Sequence, residues 1–233
     1  MSGKELRAAI AERFPDLHAA AFAYACRNKL AFVQVPARGV WGRSAQVTST
    51  TAEAWLGRPL VESPSIDGVV LRYFGAFGPA SVADVATWSR LTGLRHVVER
   101  LRPQLVTFRD ERGQELFDVP DAPRPDPDTP APVRFLPEYD NLLLSHDDRS
   151  RFLAGRPLVI GERTTGSLLY DGCLFGLWSV QRDRASKAAT LIARVAGEPN
   201  EEVAAEAEAV VRFLVPDASG RHVRVERGQR VRR

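Results

Sequence analysis

IDGVVLRYFGAFGPASVADVATWSRLTGLRHVVERLRPQLVTFRDERGQELFDVP, residues 66–120, decides how the rest of the chain is read. Val70, Tyr73, Phe74 and Phe77 fall at i, i+3, i+4 and i+7, one face of a helix. Gly78-Pro79 should stop it, because proline has no amide proton to donate and restricts the residue before it. Ser81 followed by Asp84 reads as a capping box with the shorter aspartate in place of glutamate. Val82, Val85 and Ala86 continue as a second short stripe that Gly93 ends. A third stripe, Leu94, Val97, Val98 and Leu101, leaves Arg95, His96, Glu99, Arg100 and Arg102 on the other faces, with Pro103 as a stop. Beyond it, LVTFR (105–109) and QELFDV (114–119) flank a polar, glycine-bearing turn at 110–113, the pattern of a β-hairpin.

Three helices and a hairpin in this order make a winged helix-turn-helix: the second and third helices form the pair and the hairpin is the wing. Residues 4–60 read as the end of a similar unit. Leu6, Ala9, Ile10 and Phe14 make one helix stopped at Pro15; Asp16 is expected to cap a second, with Leu17, Ala20, Ala21 and Tyr24 on its apolar face. Residues 31–35 and 44–49 are expected strands, joined by the loop 36–42. One more helix would complete this unit, and its lack suggests an abridged N-terminus. Five prolines in residues 121–132 mark an extended linker. Strands are expected at 158–160, 167–170, 174–180 and 189–195, with a tight turn at Asp171-Gly172, and a helix at 201–214 turns Val203, Ala207, Val210, Val211 and Leu214 inward. The expected organisation is α+β: a partial winged helix at 1–62, a winged helix-turn-helix at 63–120, the linker 121–132, a β-barrel-like α+β unit at 133–219 and a basic tail at 220–233.

The chain has 233 residues, 44% apolar and 26% charged, ordinary for a globular protein. No apolar run approaches the roughly 20 residues of a membrane span, and no signal-peptide core follows Met1. Cys26 and Cys173 lack metal-ligand spacing and read as buried free thiols, which points to the cytoplasm. The net charge of +3 is misleading, because residues 220–233 hold six arginines against one glutamate and leave the remaining body at −2. Nucleic-acid binding must therefore rest on where the arginines sit. For duplex DNA the useful set is Arg95, His96, Arg100 and Arg102 on the third helix, Arg109 and Arg112 on the wing, and Arg38 and Arg43 on the first unit's loop. Basic side chains on such a helix reach base edges, and those on a wing meet phosphates or the minor groove. With acids interspersed, the same charges also suit a solvated face, so a protein partner or a second copy of the chain stays open beside DNA. The arginines of 220–233 read equally as a phosphate clamp or as an edge strand over 221–225. Trp55, Trp88 and Trp178 are expected in the core and Trp41 outside it.

Several spaced strings carry a resemblance: VQVPARGVWG (33–42), LRYFGAFGPASVADVATW (71–88), VRFLPEYDNLLLSH (133–146) and DGCLFGLW (171–178). In this order, over about residues 5–215, the chain resembles the winged-helix DNA glycosylases that unhook interstrand crosslinks, the AlkZ/YcaQ-like family. The resemblance implies tandem winged helices followed by a small barrel, and cleavage of N-glycosidic bonds to alkylated bases in DNA without a metal. That family's catalytic element, a glutamine, an apolar residue, then glutamine or aspartate, would lie before Met1.

Among replacements, Gln34-Val35-Pro36 lacks the third side chain, Gln46-Val47-Thr48 ends in a hydroxyl, and Gln181-Arg182-Asp183 has a charge in the middle. Glycoside cleavage needs a group that positions water and access to an extruded base. The best remaining constellation is Glu138, Asp140, His146, Asp147, Asp148 and Arg149, with Asp140, His146 and Asp147 as acid–base candidates. The competing reading is structural, with Glu138 and Asp140 capping a turn and 146–149 leading into a helix. No metal site and no cofactor are expected, as phosphate-cradling glycine motifs and ligand spacings are missing. The chain as it stands reads as a non-catalytic DNA binder of this kind.

Overall fold

The computed structural model describes residues 1–41, 43–153, 155 and 165–228. The chain divides into two units, Met1–Pro64 and Ser65–Arg233. In the first, Ser2 and Glu5 form a capping box at α1 (Gly3–Arg13), where Ser2 N donates to the Glu5 carboxylate at 2.7 Å. Helix α2 (Ala19–Lys29) is capped by His18, whose Nδ1 accepts from Ala21 N at 3.2 Å. The expected cap, Asp16, lies two residues too early, since a capping side chain must stand immediately before the first helical residue. The expected apolar face is also displaced. Leu17 and Tyr24 are exposed, and Ala19, Ala23 and Cys26 form the inward stripe. Strands β1 (Phe32–Val35) and β2 (Thr48–Thr51) pair antiparallel, with Val35 opposite Thr48. The second strand therefore starts four residues later than expected, at a run of β-branched threonines. Thr51 then caps the short α3 (Ala52–Leu56), which carries Trp55 on the surface and not in a core.

The second unit opens with the helices its periodicity predicts. They are α4 (Ile66–Phe77), α5 (Val82–Ser89) and α6 (Leu94–Leu101), followed by a single 3-10 turn at Arg102–Gln104 that accommodates Pro103. The Ser81–Asp84 capping box is formed on both sides, at 2.7 and 3.2 Å. Strands β3 (Val106–Arg109) and β4 (Glu115–Asp118) make the hairpin, and Ala80 bridges to Phe117 through two backbone hydrogen bonds of 3.0 and 2.8 Å. Val70, Tyr73, Phe74, Val85, Leu94, Val97, Val98, Leu101 and Phe117 enclose one core. Gly78 is required by close approach, because a Cβ there would stand 2.5 Å from both the Asp118 carboxylate and the Phe74 carbonyl.

Residues 121–132 contain no helix or strand, but Arg124 ties their start to the hairpin. Its guanidinium donates to Val119 O at 2.7 Å, meets the buried Asp118 at 3.3 Å and lies over the Phe108 ring. Then come β5 (Arg134–Leu136), the short α7 (Asn141–Leu144) and α8 (Ser150–Leu153), β6 (Gly166–Tyr170), β7 (Cys173–Arg182), β8 (Ala189–Val195), α9 (Glu201–Leu214) and β9 (Arg221–Arg227). Among the described residues they build an open five-stranded sheet in chain order, antiparallel except for the β8–β9 pair. A parallel pair needs a crossover, and α9 supplies it, burying Val203, Ala207 and Val211 against the sheet. The β6–β7 turn holds Asp171 and Gly172 at φ 49° and 69°, the left-handed pair a two-residue hairpin demands.

Residues 221–227 are an edge strand, so half of the basic segment belongs to the sheet. The expected strand at 158–160, Gly42 and the arginines at 230, 232 and 233 lie outside the described residues. Cys26 and Cys173 are free thiols but half-buried, short of the full burial expected. Trp88, expected in the core, is 37% exposed, because it lies at the end of α5 with only one side of its ring against Tyr73 and Phe77, at 5.3 and 5.9 Å by centroid. Trp178 is half-buried and donates through Nε1 to Leu136 O at 2.8 Å. Among the described residues no helix is long and apolar enough to cross a membrane.

Candidate nucleic-acid interface

Arg90 and Gly93 both adopt left-handed backbone, at φ 61° and 72°, and fold the chain sharply from α5 into α6. Leu94, Val97, Val98 and Leu101 then face the core, which fixes the rotation of α6 and turns Arg95, His96, Glu99 and Arg100 to solvent. Their environments differ. Arg95 makes no side-chain hydrogen bond or ion pair among the described residues. Arg100 donates through both Nε and a terminal nitrogen to Asp67 on α4, and that carboxylate raises its already high pKa. Arg102 is bracketed by Glu99 at 2.8 Å and Glu115 at 2.9 Å and lies over the Phe117 ring. Its hydrogen bonds hold both glutamates below the ordinary carboxylate range. Two of the four cationic positions expected on this helix thus carry an acid of their own.

The hairpin turn is organised by Asp110, whose Oδ1 accepts from Arg112 N at 2.9 Å and Gln114 N at 2.7 Å, with Gly113 at φ 80°. Arg109 donates to Gly113 O at 2.9 Å and remains exposed. Arg112 turns to the segment after α7, 3.0 Å from the Asp148 carboxylate and 3.1 Å from Ser150 Oγ. A cleft of about 450 Å³ lies there, lined by Arg109, Arg112, Gln114, His146, Asp148 and Arg151 among others. In the first unit, Arg38 donates to Ala45 O at 3.3 Å and Arg43 is exposed.

The acid–base candidates are engaged in local structure. Asp140 caps α7, accepting from Leu142 N at 2.8 Å. His146 is buried, with Nδ1 2.7 Å from Ser145 Oγ and Nε2 3.1 Å from Phe77 O. A carbonyl only accepts, so the proton sits on Nε2 and Nδ1 accepts from the serine. Burial first, and then the Arg151 charge, push this imidazole below its usual pKa. Asp147 accepts from Thr87 Oγ1 at 2.9 Å, and its amide donates to Asp84 at 2.8 Å. Tyr73 closes the same seam by donating to Ser145 O at 2.6 Å, and burial drives its phenol pKa upward. Asp183 holds the β7–β8 turn, accepting from Ala185 N at 2.9 Å and Ser186 Oγ at 2.5 Å.

Sequence reasoning missed Asp67 and Ser150, and it placed Asp148 in the acidic constellation without its partner Arg112, because positions opposite arginines follow only from tertiary packing. It found Asp84 as a cap and missed its second bond to Asp147, since one carboxylate serving two segments leaves no local pattern. Among the described residues no three His, Cys, Asp or Glu side chains converge on a metal position.

Comparison with known proteins agrees with the strings at 33–42, 71–88, 133–146 and 171–178. No curated protein matches the chain. Among solved structures, the DNA glycosylase AlkZ of Streptomyces sahachiroi is similar, with a TM-score of 0.56 at 16% identity, over 96% of this chain and 68% of that one. At that identity the likeness is one of fold. A model of the DNA glycosylase AlkZ-like family matches residues 1–213, nearly the whole length, and the chain belongs to that family.

Proposed function

We propose that the chain is a duplex-DNA-binding member of the AlkZ-like family in which residues 65–120 act as a winged helix-turn-helix, with α6 as the groove-entering helix and β3–β4 as the wing. In this reading residues 1–62 are a second, partial unit of the same type, and the five-stranded sheet after the linker is an open counterpart of a barrel, with the register shift between Leu168 and Leu169 as the place where it would bend. The observation that carries the reading is the division of α6: four buried aliphatic residues lock one face, and Arg95, His96 and Arg100 stand on the other. Arg109 extends this surface along the wing, and Arg38 and Arg43 are the corresponding contacts of the first unit. Arg102 serves by holding α6 to β4 through Glu99 and Glu115.

The chain as it stands is proposed to be non-catalytic. Asp140 caps α7, His146 is buried between Ser145 and Phe77, the exposed Asp147 is engaged by Thr87, and Asp183 holds a turn, so each is committed to a local structural contact. Binding of a fluorescent duplex over about 50 to 200 mM salt tests the first claim: affinity should fall steeply with salt, by about 0.9 log unit per log unit of salt for each phosphate contact. No binding at low salt would refute it. Abasic sites formed on alkylated duplex by the same preparation would refute the second claim and revive a site near Asp140–Arg149.

A protein-docking role, for another protein or a second copy, is favoured by one observation: Arg100, Arg102 and Arg112 already face acids of the same chain. It predicts salt-insensitive or absent DNA binding.

A further inference from the structure

The wing carries an exposed arginine against an acid from another segment. Arg112 donates to Asp148 and Ser150 while its side chain stays 68% exposed, so the guanidinium can change partners without any unfolding. Asp148 does not depend on Arg112 for its place. Its Oδ1 accepts from Ser150 N at 2.8 Å, and this bond is the main cause holding its pKa below the ordinary aspartate value, ahead of the Arg112 charge. The residue before it, Asp147, is fastened to α5 by two hydrogen bonds, to Thr87 and from its own amide to Asp84. The anion is therefore fixed and ionised, and it stands where a DNA phosphate would meet a wing arginine.

We infer that Asp148 is an internal phosphate mimic that masks Arg112 in the free protein, so that the wing adds its charge to a duplex only when a phosphate displaces the carboxylate. The inference rests on the DNA-binding reading above. An exposed ion pair is weak, so the mask tunes affinity severalfold and does not act as an on–off switch. Asp148→Asn is the suitable variant: its amide oxygen can still accept from Ser150 N and keep the segment folded, while the charge is gone.

Two arms test it. In the first, duplex affinity is measured for the wild type, Asp148→Asn, Arg112→Ala and the double variant. Asp148→Asn should tighten binding about threefold in the wild-type background and leave it unchanged in the Arg112→Ala background. Equal tightening in both would show a general charge effect and overturn the mask. In the second arm, which needs no DNA, phenylglyoxal modification of Arg112 is followed by mass spectrometry. Asp148→Asn should speed it severalfold relative to Arg109 in the same molecules. Equal rates would overturn the mask whatever the DNA arm shows. If the rates differ and no variant binds duplex, the DNA-binding reading fails and the ion pair is a structural contact only.

Discussion

Residues 1–64 and 65–120 share helices followed by an antiparallel hairpin, yet they bury their side chains very differently. The later segment encloses ten apolar residues in one cluster, Tyr73, Phe74 and Phe117 among them. Among the described residues the earlier unit buries three, Ile10, Ala23 and Ala52, and exposes Phe14, Leu17, Tyr24, Leu30, Trp55 and Val61. Large apolar side chains at helical spacing admit one rotation of each helix, because any other would leave several of them in water. Alanine-rich α2 has no such preference, and a stripe of small residues faces inward while its aromatic residues lie outside.

That contrast can be broken by mutation. Phe74→Ala should cost about 3–5 kcal/mol in urea unfolding of the second unit, the usual loss for a fully buried phenylalanine. Ile10→Ala should cost about 2 kcal/mol, at the low end for its type, because few neighbours surround the vacated volume. Equal losses would mean that the first unit has a comparable core.

Acid should narrow the same contrast through His146. Its folded pKa lies below the ordinary value of about 6.5, so the unfolded chain takes up the proton first. The associated stability is complete above about pH 6.5 and declines as pH falls towards and through the folded pKa. Thermal unfolding of the second unit should therefore weaken from pH 7 to 5, and His146→Gln should flatten that slope. An identical slope in the variant would show that the buried imidazole contributes nothing to it.

How legible the chain was follows from the same physics. The boundaries of α4, α5, α6 and α9, the Ser81–Asp84 box and the Asp171-Gly172 turn could be read because each depends on a period or on neighbours within four residues. The cap on α2 was misplaced because His18 can accept as well as an aspartate does, and β2 slipped because the loop before it has no steep apolar pattern. For the candidate interface, the identity of the outward residues on α6 was legible, but their partners were not. Asp67 lies 33 residues from Arg100, and Asp148 lies 36 from Arg112. No local spacing signals such pairs.

The most direct measurement is duplex affinity after reversing charge on the proposed surface. Arg95→Glu combined with Arg109→Glu, with the fold checked by circular dichroism, should weaken binding at least tenfold at low salt. Arg184→Glu, on the β7–β8 turn of the sheet, should leave it within about twofold. Wild-type affinity in the double variant would contradict the assignment of α6 and the hairpin as the DNA-contacting face.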